Sequence, residues 1–273
     1  MSPKVSIILP TYNRCQFLPQ AIESVLRQTF KDFELIIIND GSTDGTKDFL
    51  KTIKDERIII INQENMGLTK SLNRGLKVAR GEFIARIDDD DIWIDHEKLE
   101  KQVNFLTKYP EYVLCGGGAI VIDEKGKELF RWLLPETDEK IRNKILFQNQ
   151  FIHPSVVFRK NPELFYSEDL KVAQDWEFWL RLGKVGKLFN FQSYFVKLRS
   201  HQKSVSSRNY RLEIKSSITI IKNHKNDYPH FKKALLYNYL KLCIFSLPGI
   251  YQLFRKIIKI RNQLIYRKKT IKA

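Results

Sequence analysis

The sequence predicts an α/β fold, and three observations lead to this prediction. Short runs of β-branched residues alternate with longer segments of helical periodicity over the first 120 residues. Such alternation is typical of a parallel sheet with right-handed crossovers. Polar clusters follow several of the predicted strands. Hydrophobic residues form 43% of the 273-residue chain and aromatic residues 12%, which provides a core and excludes a wholly disordered protein.

The elements follow in order along the chain. Continuous apolar runs, suited to a sheet covered on both faces, predict strands at Val5–Leu9, Phe33–Asn39, Arg57–Ile61 and Glu82–Ile87, and a further strand from Tyr112. Apolar residues at helical spacing predict helices at Gln16–Gln28, after Asp40–Thr46, at Leu68–Ala79 and from Asp95 to about Tyr109.

The pattern is mixed from about residue 117 to 207 and helical beyond it. The mixed part contains a hairpin turn at Asp123–Lys127, helices at Asp138–Phe147 and Asp175–Leu182, and extended segments within Leu188–Leu198. The last part predicts three helices, at Tyr210–Asn223, Phe231–Phe245 and Ile250–Ile265.

Positive charge is concentrated at the C-terminal end. The net charge is +16, from 47 Lys+Arg against 31 Asp+Glu. Residues 208–273 contain 16 Lys+Arg and two acids and so carry +14, which leaves +2 for residues 1–207. This asymmetry predicts an anionic partner, either a nucleic acid or a membrane surface.

The cysteines and the termini predict a cytoplasmic location. Cys15, Cys115 and Cys243 lie far apart without a CxxC pair, which favours a reducing compartment over disulfides or a zinc site. The N-terminus lacks the features of a signal peptide. The uncharged stretch from Leu242 to Phe254 has 13 residues, whereas a spanning helix needs about 20. We therefore expect a cytoplasmic protein that is at most peripheral to a membrane.

Three polar clusters follow predicted strands: Pro10–Asn13, Asp40–Ser42 and Asp88–Asp91. In parallel α/β sheets ligands bind beyond the carboxyl ends of the strands, so we expect these clusters to meet at one edge. Four consecutive carboxylates repel one another unless a cation or solvent neutralises them. Oxygen ligands suit Mg²⁺ or Mn²⁺. The alternative is an acidic turn before a helix N-terminus, where negative charge is mildly favourable.

Five blocks of the sequence resemble the family 2 glycosyltransferases in the same order. They are VSIILPTYNR, QTFKDFELIIINDGSTDGT, NMGLTKSLNRGL, GEFIARIDDDDI and QDWEFWLRL, spanning about residues 4–205. The resemblance implies an α/β fold of the GT-A type and inversion at the anomeric carbon. It implies a catalytic domain at 1–207, with a nucleotide-sugar-binding half at 1–118 and an acceptor half at 119–207. A basic amphipathic helical tail at 208–273 would follow.

The resemblance also implies roles for individual residues. Nucleotide-binding residues would be Pro10, Thr11, Tyr12, Asn13, Asp40, Lys70, Asp88 and Asp89. Metal ligands for Mn²⁺ or Mg²⁺ would be Asp90 and His201. The catalytic base would be Asp175, and the diphosphate or acceptor would be contacted by Arg199, Gly117 and His153. Two departures from the family pattern are Asp89, where many members have Ala or Ser, and Leu72, where many have an arginine that Lys70 would replace.

Each role has an ordinary structural alternative. Trp176 and Trp179 beside Asp175 would raise the pKa of its carboxyl and suit it to proton transfer. The alternative is that Asp175 caps the helix that follows, and one carboxylate can do both. Tyr12 could stack on a base or fill the core. His201 could be a surface histidine and His153 could begin a strand. Gly117 would let the backbone approach the sugar or acceptor closely, but a turn needs glycine too.

The sequence thus predicts a metal-assisted inverting glycosyltransferase. It would move a sugar from a UDP-sugar to a hydroxyl of a lipid-linked or nascent surface polysaccharide, as in O-antigen, capsule or exopolysaccharide synthesis. The acceptor would be carried on a polyprenyl diphosphate at the inner face of the cell membrane. A nucleotidyltransferase is set aside because PTYNRCQF has no glycine-rich phosphate loop.

A different class of function stays open as the alternative, namely a nucleic-acid- or membrane-binding protein that acts through its basic tail without transferase activity. Basic residues at 255–261 alternate with Phe254, Ile257 and Ile258. This pattern favours an anionic membrane surface over nucleic acid as the partner of residues 208–273. A homodimer is left open.

Overall fold

A computed structural model describes residues 2–200 and 210–246. Strands in these ranges are β1 (Val5–Thr11), β2 (Phe33–Asp40), β3 (Ile58–Gln63), β4 (Phe83–Arg86), β5 (Ile92–Trp93), β6 (Tyr112–Ile122), β7 (Glu128–Trp132), β8 (Val157–Arg159) and β9 (Lys187–Arg199). Helices are α1 (Leu18–Leu26), α2 (Thr46–Lys51), α3 (Leu68–Val78), α4 (Lys98–Lys108), α5 (Asp138–Ile145), α6 (Gln174–Leu182), α7 (Tyr210–Asn223) and α8 (Phe231–Ser246).

The strands form one mixed sheet in the order β3-β2-β1-β4-β8-β6-β9-β5. Strand β7 pairs antiparallel with the C-terminal end of β6, from Ala119 to Ile122. The first four strands are parallel, as predicted. β8 lies antiparallel between β4 and β6. Thr11 pairs with Asn39 and Asp40 with Gln63, so the polar ends of β1, β2 and β3 lie side by side at one edge.

The sheet is covered on both faces, because successive side chains of a strand point to opposite sides. Ile7 and Leu9 belong to one apolar cluster, which also contains Trp93. Ile8 belongs to the other cluster, with Trp179 of α6. The continuous apolar run of β1 is explained by this double burial.

Beyond β4 the structure departs from the sequence prediction at two places and agrees with it at a third. The two-residue strand β5 pairs with β9 directly after the aspartates. Helix α4 begins at Lys98 rather than at Asp95, and the Lys98 N–H donates to the Asp95 carbonyl. The predicted hairpin turn is confirmed, since Gly126 has φ 86° and the Asp123 N–H donates to the Lys127 carbonyl.

Two of the three predicted C-terminal helices are present as α7 and α8. Ile220 and Ile221 of α7 and Ala234 of α8 are buried in the same cluster as Trp179. These helices therefore pack on the sheet-bearing part of the chain, and the boundary at residue 207 stays a prediction. The third predicted helix, 250–265, lies outside the described residues. Among the described helices we find none with the length and apolar character needed to cross a membrane.

Candidate active site

The loops after β1 and β2 are fastened to each other by the predicted residue Asn13. Asn13 has φ 54°, a left-handed conformation that asparagine tolerates better than most residues. Its Oδ1 accepts the Thr43 N–H at 2.7 Å, and its own N–H donates to Ser42 Oγ at 3.0 Å. Asn13 thus sets the shape of the edge, and its contact with a nucleotide stays a prediction.

Asp40, at the end of β2, is buried and holds the loop after β3. The N–H groups of Met66 and Gly67 donate to its two carboxylate oxygens at 2.8 Å each, and Gln63 Nε2 donates at 2.7 Å. A carboxylate has about four acceptor positions, so Asp40 retains capacity for one further donor. The predicted hydrogen bond from a uracil ring therefore stays a prediction. Lys70 lies exposed nearby, on the first turn of α3.

Asp88–Asp91, called the aspartate turn below, begins above a buried arginine. The Arg86 side chain is 1% exposed. It donates to the Ile8 carbonyl at 3.1 Å, to the Ile87 carbonyl and to the Asp88 carboxylate. Burial alone would raise the pKa of Asp88, but the adjacent Arg86 charge outweighs it and holds that pKa below its ordinary value. Asp88 is therefore ionised, and the charge of Arg86 balances it.

The next two carboxylates of the turn, Asp89 and Asp90, interact with each other and with Arg14. Burial, followed by the neighbouring charge of Asp90, raises the pKa of Asp89 to about 7. The Tyr12 N–H donates to Asp89 Oδ2 at 3.2 Å. Arg14 Nε lies 4.0 Å from Asp89 and 3.7 Å from Asp90. Arg14, which the sequence analysis did not single out, thus places a positive charge at the predicted metal position.

The aspartate turn ends in a structural contact. Asp91 is buried and accepts the Arg199 N–H at 2.8 Å. Burial, then the charges of Asp88 and Asp90, raise the pKa of Asp91 well above its ordinary value. The Arg199 side chain donates to the carbonyls of Asp90 and Glu124 at 3.0 Å each and lies over the Phe17 ring. Arg199 therefore supports the turn from β9, and its predicted contact with a diphosphate stays a prediction.

Asp175 is held at the start of α6. Ala173, just before the helix, has φ 61°, a strained conformation of the kind that clusters at functional sites. Asn149 Nδ2 donates to Asp175 Oδ2 at 2.8 Å. Burial is the main cause that raises the pKa of Asp175 to about 6; the Trp176 N–H lowers it and the charge of Asp88 raises it further. The helix has Ala173 at its N-cap position, so Asp175 lies within the first turn and is not the capping residue. Its role as catalytic base stays a prediction.

His153 lies in a 3₁₀ turn at His153–Ser155. Its Nε2 is 3.0 Å from the hydroxyl of Tyr166, which is buried. Burial and then the charge of Arg86 lower the pKa of His153 to about 3, so the imidazole is neutral at physiological pH. The turn is fixed from behind, because Trp93 Nε1 donates to the Pro154 carbonyl at 2.8 Å.

Gly117 lies inside β6, and protein packing accounts for the glycine. A Cβ at this position would come 2.2 Å from the Phe195 ring. The Gly117 N–H donates to Ser155 Oγ at 3.1 Å. Its predicted contact with the sugar or acceptor stays a prediction. His201 lies outside the described residues.

The residues present fit a divalent cation whose coordination would be completed by the phosphates of a bound nucleotide. Among residues 2–200 and 210–246, no three His, Cys, Asp or Glu side chains are grouped to hold a metal. Mg²⁺ and Mn²⁺, however, are commonly bound by one or two carboxylates together with substrate phosphates. The raised pKa of Asp89, caused after burial by the charge of Asp90, shows carboxylates that a cation would stabilise.

Comparisons with known proteins place this site in context. The family model for glycosyl transferase family 2 matches residues 6–161. A putative glycosyltransferase, EpsE, of Bacillus subtilis is 31% identical over 260 residues, covering 89% of this chain and 92% of its own. The amylovoran biosynthesis glycosyltransferase AmsE of Erwinia amylovora is 31% identical over 227 residues, covering 79% and 83%.

Solved structures show the same fold at lower identity. TarS of S. aureus in complex with UDP has a TM-score of 0.62 and 20% identity, covering 90% of this chain and 72% of that one. The mannosyltransferase PcManGT of Pyrobaculum calidifontis, in complex with GDP-Man and Mn²⁺, has a TM-score of 0.61 and 16% identity, covering 99% and 84%.

Proposed function

Since the chain belongs to glycosyl transferase family 2, we propose that it transfers a hexosyl or N-acetylhexosaminyl group from a UDP-sugar to a hydroxyl group, with inversion. A complex of TarS with UDP-GlcNAc and the name of AmsE, a polysaccharide biosynthesis enzyme, support this donor and acceptor class. The acceptor would be a lipid-linked or nascent surface polysaccharide, such as O-antigen, capsule or exopolysaccharide.

The observation that carries the mechanism is the contrast between Asp88 and Asp175. Asp88 is kept ionised by Arg86, whereas the pKa of Asp175 is raised to about 6. A base works best when its pKa lies near the operating pH. Asp175 would take the proton of the acceptor hydroxyl while the acceptor oxygen forms its bond to the anomeric carbon. The bond from that carbon to the diphosphate oxygen breaks, and UDP leaves.

The aspartate turn would hold the donor diphosphate. Asp90, with Asp89 beside it, would bind Mn²⁺ or Mg²⁺. The bound ion would stabilise negative charge on the leaving diphosphate by several kcal/mol. Arg14, 3.7 Å from Asp90, adds a positive charge at the same place. His153 is neutral, and its ring would contact the acceptor or donor through hydrogen bonding rather than through charge.

The alternative of a basic-tail binding protein without transferase activity is not favoured, because the family is established over more than half of the chain. The positive charge of residues 208–273 supports a location on the inner face of the cell membrane. That location would bring the site to an acceptor carried on a polyprenyl diphosphate.

A donor panel tests the proposal. Purified protein is incubated with UDP-glucose, UDP-galactose, UDP-GlcNAc, UDP-GalNAc and GDP-mannose, each with Mn²⁺, Mg²⁺ or EDTA, and release of the nucleoside diphosphate is measured. We expect one UDP-sugar to give metal-dependent release that Asp90→Ala abolishes. The matched control is Asp48→Asn on the exposed face of α2, which should leave release unchanged. Binding and turnover of none of these donors would contradict the proposal.

A further inference from the structure

Helix α8 presents an apolar surface to its exterior as well as to the core. Leu236, Tyr239, Leu240, Cys243 and Ile244, called the outer stripe below, recur at the i, i+3, i+4, i+7, i+8 spacing of one helix face. Leu236 is 61% exposed, Leu240 53% and Ile244 46%. The opposite face packs against α7 through Leu235, Leu242 and Phe245. Contiguous exposed apolar side chains mark interaction surfaces, so the outer stripe indicates a partner.

The charge around the outer stripe identifies the kind of partner. Lys232 and Lys233 are exposed on the first turn of α8, and Lys241 lies over the Tyr237 ring at 4.4 Å. Helix α8 contains no acidic residue, and residues 247–273 contain eight Lys+Arg and no acid. A second copy packed through the same helix, or this chain's own last residues, would bring like charges against α8. An anionic lipid surface supplies the opposite charge and an apolar layer together.

The composition of α8 decides how it meets a bilayer. Among the described residues no helix is long and apolar enough to cross a membrane, and α8 carries Lys232, Lys233 and Lys241. We infer that α8 lies in the interface of an anionic membrane, with the outer stripe buried among the lipids. This inference deepens the proposed membrane location of the transferase and rests on it.

The inserted helix would also place the catalytic base. The Tyr237 ring of α8 lies 6.0 Å from the Phe147 ring, centroid to centroid. Two residues further along the chain, Asn149 donates to Asp175. Helix α8 therefore packs directly against the segment that contains Phe147 and Asn149, and Asn149 in turn holds Asp175. Insertion of the outer stripe would therefore bring Asp175 close to the lipid surface, where a lipid-linked acceptor hydroxyl is found.

Vesicle binding by the full chain tests the inference. We compare co-sedimentation with vesicles of phosphatidylglycerol and phosphatidylcholine against vesicles of phosphatidylcholine alone. The variant Leu236→Glu/Leu240→Glu should lose affinity for the anionic vesicles by at least about tenfold, because two leucines no longer enter the apolar layer. The matched control Val78→Glu/Val185→Glu changes the net charge equally at two other exposed apolar positions and should lose much less.

A second measurement uses the native cysteine of the outer stripe. An environment-sensitive fluorophore is attached to Cys243 in a Cys15→Ser background. Its fluorescence should increase when the anionic vesicles are added at low salt and should stay low when they are added at high salt. Equal vesicle binding by the stripe variant and its control would overturn the inference, as would an unchanged Cys243 signal. A dimer in light scattering that Leu236→Glu/Leu240→Glu dissociates would also overturn it, by showing that a second copy covers the stripe. Release of UDP by the wild-type chain is measured in parallel. A wild-type chain that releases UDP but does not bind the anionic vesicles contradicts only this inference, whereas absence of release contradicts the proposed function.

Discussion

The aspartate turn and the start of α6 hold carboxylates in two different ways. In the turn, Asp88 is paired with the buried Arg86, and Arg14 lies near Asp89 and Asp90. Asp175 instead accepts only neutral donors in the contacts described above, from Asn149 and the helix backbone. The difference between Asp88 and Asp175 teaches that charge pairing and desolvation have opposite effects: Arg86 keeps Asp88 anionic, whereas burial raises the pKa of Asp175 so that it can exchange a proton.

The largest expected effect comes from removing the base. Asp175→Asn keeps the shape and the place at the helix start but cannot accept a proton. We expect kcat for transfer to fall by about 10²- to 10⁴-fold, while the KM for the donor changes little. Steady-state kinetics with a soluble acceptor analogue measure both constants. A kcat within a factor of two of the wild type would show that another group takes the proton.

Breaking the buried ion pair should have the next largest effect, on folding. Arg86→Met leaves the Asp88 carboxylate, with its side chain 30% exposed, beside an uncharged group. We expect the free energy of unfolding to fall by about 3 kcal/mol, the lower end for a broken buried pair. Chemical denaturation measures it. Arg27→Met, which removes an ion pair exposed on both sides, is the control and should show almost no change.

The Arg14→Gln variant should change metal binding and donor binding in opposite directions. A positive charge about 4 Å from a carboxylate contributes about 1 kcal/mol in water and more where water is excluded. Loss of Arg14 should therefore tighten Mn²⁺ binding in the absence of donor, followed by electron paramagnetic resonance. The KM for the UDP-sugar should rise by about tenfold, since the diphosphate loses a cation. If neither value moves, Arg14 plays no part in the charge balance of the turn.

The smallest expected effect is a shift in pH dependence. Asp175 acts as a base only when ionised, so kcat/KM should be lost as pH falls through about 6. Asn149 donates to the ionised carboxylate and lowers its pKa. Asn149→Leu should therefore move the acid limb to higher pH by up to about one unit. An acid limb at the same pH in both proteins would assign it to a group other than Asp175.

Part of this comparison could be predicted from the sequence. The β-branched runs of β1 to β4 and the polar residues after them are local signals, and they indicated the parallel half and the edge that carries Asp40 and Asp88. The position of β8 between β4 and β6 could not be predicted, because antiparallel pairing of short strands depends on contacts between residues far apart in the chain.

The supporting residues of the site were missed for the same reason. Arg86 lies in an apolar strand, and only the folded chain shows that its charge is buried against Asp88. Asn149 lies 26 residues before Asp175 in the sequence, with no motif that joins the two. Arg14 had a signal, since it directly follows the conspicuous Pro10–Asn13 cluster and carries a charge opposite to that of the aspartates.

The outer stripe of α8 has a consequence for how the enzyme would meet its acceptor. A protein that lies on a bilayer searches in two dimensions, and a lipid-linked acceptor in the same leaflet reaches it by lateral diffusion. Confinement raises the effective concentration of the acceptor without any new contact. The site could then recognise the acceptor weakly and still be saturated. Its KM would follow the mole fraction of acceptor lipid in the membrane rather than its concentration in the bulk solution.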